Sequence, residues 1–131
     1  MDVATFAPPA RIALLGNPNC GKTALFNQLT GSRQKVANYA GVTVERKEGT
    51  LLTTQGRRVS VLDLPGAYSF NALSSDEAVT RDVITGHSRE ALPDLLVCVT
   101  DATNLRLHLR MVLEARHLGL PMVLVLNKMD R

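Results

Sequence analysis

Arg11-Ile12-Ala13-Leu14-Leu15-Gly16-Asn17-Pro18-Asn19-Cys20-Gly21-Lys22-Thr23-Ala24-Leu25-Phe26 is the stretch that decides how this chain is built. Arg11–Leu15 is a brief apolar run halted by a glycine, which reads as a buried strand. Leu25, Phe26 and Leu29 then recur at helical spacing, and Thr30-Gly31 supplies a stop. The segment between strand and helix has glycines at 16 and 21 followed by Lys22 and Thr23, the pattern of a phosphate-binding loop in its required context. Glycines let consecutive backbone N–H groups curl inward onto phosphate oxygens. The helix N-terminus adds partial positive charge. The expected contacts run from Gly16 through Asn17, Pro18, Asn19, Cys20, Gly21, Lys22 and Thr23 to Ala24. Lys22 is expected to reach the β- and γ-phosphates and Thr23 to offer a hydroxyl to Mg²⁺. Both read as exposed at a strand end and outside the core, so that removing either spares the fold.

Working outward, residues 1–10 read as a flexible lead-in and 11–131 as one domain. Ser32–Gly41 has no periodicity and reads as a loop. Val42–Thr54 and Arg58–Asp63 read as strands joined at Gln55-Gly56, the only hairpin that the sequence announces. Ser74-Ser75-Asp76-Glu77 opens a helix with capping-box spacing, and Gly86 ends it. Asp94–Thr100 and Pro121–Leu126 are further strands of buried type, separated by a helix marked by Leu105, Leu109, Val112 and Leu113. Strands that are apolar on both faces and alternate with helices predict an α/β fold, a mainly parallel sheet with one antiparallel hairpin strand and helices on both faces. Ligands in such sheets sit at the carboxyl ends of the strands. Gly16, Asp63, Asp101 and Asn127 all fall there and are expected to converge.

Two further motifs stand at those ends. Asp63-Leu64-Pro65-Gly66 is a D-x-x-G, in which the acid can hold Mg²⁺ through a water and the Gly66 N–H can meet a γ-phosphate. Asn127-Lys128-Met129-Asp130 is an N-K-x-D. A carboxylate at Asp130 can accept from the N1–H and the exocyclic amine of guanine, whereas adenine leaves it unpaired. Asn127 can tie this segment to the phosphate loop. Gly41, Val42 and Thr43 lie between the first and second motifs, where a threonine hydroxyl can join Mg²⁺ once a γ-phosphate is present. Together these elements are a guanine-nucleotide signature, and an ATP-directed phosphate loop explains only the first of them.

Composition bounds the rest. The chain has 131 residues, 45% of them apolar and 21% charged, as in a globular domain. Fifteen Lys+Arg against 12 Asp+Glu suits a polyanionic ligand, but 4% aromatic residues and no Trp offer no stacking platform for nucleic acid. Cys20 and Cys98 are too few and too far apart for a disulfide framework, and Cys98 reads as core. His87, His108 and His117 share no metal-ligand spacing, so no iron site is expected in this chain. No apolar run approaches the roughly 20 residues needed to span a bilayer, and residues 1–10 do not form a signal peptide.

The residues between the motifs narrow the family. Val36-Ala37-Asn38-Tyr39-Ala40-Gly41-Val42-Thr43-Val44-Glu45 with Glu48-Gly49 resembles switch I of the bacterial ferrous iron transport protein B (FeoB) family. Asp63-Leu64-Pro65-Gly66-Ala67-Tyr68-Ser69 resembles its switch II, and Asp101-Ala102-Thr103-Asn104-Leu105 also matches. Ala37 and Ala40 stand where Gly and Pro are usual, and Cys20 where Ser is commoner. The resemblance implies a P-loop GTPase domain, followed in the intact protein by a helical domain and a membrane domain that carries iron inward. It places this domain on the cytoplasmic side of the bacterial inner membrane. On that reading the chain stops at Arg131 short of the last strand and helix of the GTPase fold. The implied partners are GTP and GDP and those two domains; homo-oligomer formation stays open. Alternatives are a GTPase of ribosome assembly or tRNA modification, and a nucleotide switch whose hydrolysis is incidental. Ala67 stands where Ras-like GTPases carry a water-orienting glutamine. Asn19 matches the asparagine that cation-dependent GTPases use for K⁺, which predicts K⁺-stimulated hydrolysis with Asn19, Lys22, Thr43 and Gly66 as the catalytic set.

Overall fold

The computed structural model describes residues 10–16, 21–66, 75–101, 109, 112–114 and 116–127. They form a six-stranded sheet in the order β2-β3-β4-β1-β5-β6. The strands are β1 Arg11–Gly16, β2 Lys35–Asn38, β3 Glu45–Leu52, β4 Arg58–Asp63, β5 Leu95–Asp101 and β6 Met122–Asn127. Two helices have full bounds, α1 Lys22–Thr30 and α2 Ser75–Thr85. Residues 112–114 and 116–117 are also helical.

β1 lies at the centre, parallel to β4 on one side and β5 on the other, and β6 extends the parallel set. Only β3 runs against the rest, antiparallel to both β2 and β4. The expected sheet is therefore present, with β3 as its antiparallel strand.

Residues of β1 alternate between two cores, as the period of a strand requires. Leu14 packs with Phe26 and Val61, and with the partly buried Leu25 and Leu29, so α1 covers this face. Burying Phe26 alone contributes about 1.5–3 kcal/mol. Ala13 and Leu15 point the other way, into a cluster with Tyr39, Val44, Leu64, Val83, Ile84, Leu96 and Cys98, which α2 covers. Burial pushes the Cys98 thiol up to about 12, as befits a core residue.

Three expectations need correction. Ser32–Gly41 is not all loop: Lys35–Asn38 is an edge strand paired with Glu45–Glu48. A second hairpin therefore joins β2 to β3 beside the one at Gln55-Gly56. All four β2 residues are exposed, so backbone pairing and not apolar patterning makes this strand. The strand expected over Val42–Thr54 is shorter, because Val42 and Thr43 belong to the turn that precedes Glu45.

β3 lies close over the end of α1. A Cβ at Gly49 would come within 2.5 Å of Thr30 Cγ2 and 2.9 Å of the Arg33 carbonyl oxygen. Glycine is what permits this approach. Thr30 is buried and its hydroxyl donates to the Phe26 carbonyl at 2.8 Å.

Candidate functional site

The carboxyl ends of β1, β4, β5 and β6 meet along one edge of the sheet. Leu14 is in register with Asp63, Gly16 with Val99, and Asp101 with Asn127. Asp63 and Asp101 are both buried there. The helix that follows β1 starts at this edge. Gly21 precedes it with φ 90°, and the space that a Cβ would occupy is filled by the Asn127 side chain. A side chain at residue 21 would be excluded twice, by backbone conformation and by Asn127. The first and last motifs are thus brought together, as the sequence predicts.

Lys22 differs from its sequence reading. It is 8% exposed, not outside the core. Its ammonium donates to Asp63 Oδ1 and, at 2.7 Å, to the Leu64 carbonyl oxygen. A lysine can be this buried because a carboxylate and a carbonyl share its charge. The lysine of the first motif is thereby joined to the acid of the second. Thr23 and Ala24 are exposed in the first turn of α1. Leu64 is fully buried and Pro65 and Gly66 are half-buried.

Gly41, Val42 and Thr43 sit in an exposed turn after β2. Asn17, Pro18, Asn19, Cys20, Lys128, Met129 and Asp130 lie outside the described residues, so the expected K⁺ ligand and base-reading carboxylate have no geometry here. Ser74 and Ala67 lie outside them too. Among the described residues no group of three or more His, Cys, Asp or Glu is placed to hold a metal ion, and no helix is long and apolar enough to cross a membrane.

The donor chemistry at this edge suits Mg²⁺. Thr23 brings an exposed hydroxyl and Asp63 a carboxylate to this edge, the kinds of oxygen donor that such a cation takes.

A family model described as ferrous iron transport protein B matches residues 10–131. This chain belongs to that family. The Fe(2+) transporter FeoB of Escherichia coli K12 is 49% identical over 119 residues, which are 91% of this chain and 15% of that protein. FeoB of Salmonella typhimurium LT2 is 48% identical over the same coverage. The chain therefore spans about 15% of the length of these curated relatives. Among solved structures, the G domain of T. maritima FeoB superposes with a TM-score of 0.75 at 36% identity, covering 89% of this chain and 87% of that one. A variant of S. thermophilus NFeoB bound to GDP gives 0.80 at 41% identity, covering 90% and 44%. The fold is that of the FeoB G domain, a P-loop GTPase fold.

Three features of this FeoB-family chain escape sequence reasoning. Thr80 in α2 is fully buried and donates to the Pro65 carbonyl at 3.0 Å, which fastens α2 to the D-x-x-G segment. Arg46 in β3 forks onto Glu90, with Nε to Oε2 at 2.8 Å and Nη2 to Oε1 at 2.9 Å. The same guanidinium reaches Glu48 at 3.1 Å, and Glu48 accepts from Ser60 at 2.8 Å. Burial alone would raise the Glu48 pKa, but the Ser60 and Arg46 hydrogen bonds outweigh it and hold the carboxyl below its ordinary value. The third feature is Tyr39, an aromatic ring buried between the exposed Asn38 and Ala40. No periodicity announces any of them. The D-x-x-G motif gave a reason to ask what holds Pro65, and that was the one usable signal.

Proposed function

We propose that this chain is the GTP-binding and GTP-hydrolysing domain of a ferrous iron transporter, residues 11–131 forming the nucleotide domain after a short lead-in. The observation that carries the reading is the buried contact of Lys22 with Asp63 and Leu64, made where Asn127 packs on Gly21. A relative of known structure, S. thermophilus NFeoB, binds GDP, which supports a nucleotide at this edge. In the intact protein the domain faces the cytoplasm, beside helical and membrane domains, and its nucleotide state gates iron uptake.

Each residue has a role in this reading. Backbone N–H groups from Gly16 to Ala24 cradle the phosphates, and Lys22 exchanges its carboxylate partner for the β- and γ-phosphates. Exchanging one anion for another keeps the buried ammonium compensated throughout. Gly66 offers its N–H to the γ-phosphate, within a segment that Thr80 holds in place. Asp130 reads guanine, while Asn127 anchors the base segment to the phosphate loop. Mg²⁺, held by Thr23, Thr43 and, through water, Asp63, and K⁺, held by Asn19, would supply positive charge against the phosphate oxygens when bound.

The test is to titrate fluorescent GTP and ATP analogues and to measure GTP turnover in K⁺ and in Na⁺ at matched ionic strength, for wild type and Asn19→Ala. The expected result is guanine-selective binding with K⁺-stimulated turnover that Asn19→Ala abolishes. Equal GTP and ATP affinity would refute the base reading. K⁺ stimulation that survives Asn19→Ala would refute the cation role alone.

A further inference from the structure

Thr43 stands on a short turn with two buried feet. Tyr39 is 4% exposed and Val44 is 7% exposed, while residues 40–43 between them are all exposed. The Tyr39 N–H donates to the Val44 carbonyl at 2.9 Å, and the Val42 N–H donates to the Tyr39 carbonyl at 3.2 Å. Both feet join the core cluster that contains Leu64 of the D-x-x-G segment and Val83 and Ile84 of α2. The turn is therefore pinned at its base by two buried side chains, one of them the Tyr39 ring.

The seat of that ring is unusual. The Tyr39 hydroxyl is buried and makes no hydrogen bond, the one such side-chain atom among the described residues. Buried hydroxyls are normally partnered, because a stranded one loses its water and gains nothing. The carboxylates of Glu90, Asp63 and Glu48 and the Arg46 guanidinium all act on the Tyr39 hydroxyl electrostatically, and none of them bonds to it. Burial first and then Glu90 push the phenol well above its ordinary pKa, so it stays a neutral donor that its position leaves unused. Beside the ring lies a cavity of about 360 Å³ whose lining includes Val42, Val79, Asp82, His87 and Glu90. The ring has somewhere to go.

We propose that Tyr39 is a positioning residue for Thr43. Its ring seats the turn in the nucleotide-free and GDP-bound forms and leaves the seat when GTP draws Thr43 to the site. The stranded hydroxyl keeps the seat shallow enough to leave. This rests on the role given to Thr43 under Proposed function.

Tyr39→Phe keeps the ring and removes the stranded group, so it deepens the seat. Melting temperature, affinity for fluorescent GDP, affinity for a non-hydrolysable GTP analogue, and kcat are measured for this chain and the variant. The expected outcome is a higher Tm, unchanged GDP affinity, and GTP-analogue affinity and kcat each lower by about fivefold. A purely structural tyrosine would move Tm and leave the GTP-to-GDP affinity ratio alone, and that result overturns the proposal. An unchanged or lower Tm overturns it too, because the hydroxyl then had a partner. In a Thr43→Ala background the Tyr39→Phe effect on the ratio must vanish, since it acts through Thr43; its persistence refutes the mechanism. A wild type that binds neither nucleotide would instead defeat the GTPase reading itself. A normal wild type with a flat Tyr39→Phe response defeats only this inference.

Discussion

Asp63 and Thr43 are both candidate Mg²⁺ ligands, yet the fold carries them in opposite ways. Asp63 ends a strand that is paired on both sides, is itself buried, and is gripped by Lys22. Thr43 is exposed on a turn whose only fixed points are its feet. The first residue is positioned by the whole sheet; the second is positioned by a hinge. A site that must hold phosphate in every state and sense only the triphosphate needs one ligand of each kind.

Substitutions should break this contrast in a graded way. Lys22→Ala should have the largest effect on the folded state without nucleotide. It strands the Asp63 carboxylate in the interior, which costs about 3–5 kcal/mol and lowers Tm by about 10 °C or more. Thermal unfolding of Lys22→Ala, of Asp63→Ala and of the double variant checks this: the double variant should recover part of the loss, because it removes both charges. Additive losses would show that the pair is not coupled.

Gly49→Ala should be intermediate. It drives a methyl into Thr30 and the Arg33 carbonyl, behind the strand that carries the turn. Overpacking of this kind costs about 1–3 kcal/mol. Chemical denaturation of Gly49→Ala and of Gly49→Ala/Thr30→Ser tests the origin of the cost. The double variant should be the more stable of the two, since the serine lacks the methyl in the way.

Thr43→Ala should be the mildest, changing stability by less than about 0.5 kcal/mol, as exposed substitutions do. Its effect should be confined to Mg²⁺-dependent binding of the GTP analogue, with GDP affinity preserved. A large loss of stability on Thr43→Ala would mean that the turn is part of the core, and the contrast would fail.

The same contrast explains what the sequence revealed. β1 and β5 were legible because burial on both faces leaves nearly continuous apolar runs, while β4 was legible from the turn at Gln55-Gly56 and β6 from its apolar residues, and Gly16, Asp63, Asp101 and Asn127 could be placed at the ends of these four strands. β2 was not legible. Lys35-Val36-Ala37-Asn38 is exposed at every position and becomes a strand only through its pairing with β3, a fact about another segment. Lys22 was misjudged because its motif describes the lysine with phosphate present. A buried ammonium needs an anion beside it, and the sequence does not say that Asp63, 41 residues away, is within reach. Tyr39 carried no signal because one aromatic residue in an irregular stretch has no period.

The topology also sets an order of assembly. The hairpin of β3 and β4 closes through a turn in which the Gly56 N–H meets the Thr53 carbonyl at 2.9 Å, and such local units form in about 1–10 μs. β1 cannot settle so early. One of its two neighbours is β5, and the Arg11 N–H meets the Asp94 carboxylate across 83 residues of chain. Closing that distance is entropically slow. During synthesis, the strand leading into the phosphate loop emerges first and waits longest for its neighbours. Until β5 arrives its apolar residues depend on whatever else shields them, so a strand that ends deep inside the sheet is exposed for longest in the making.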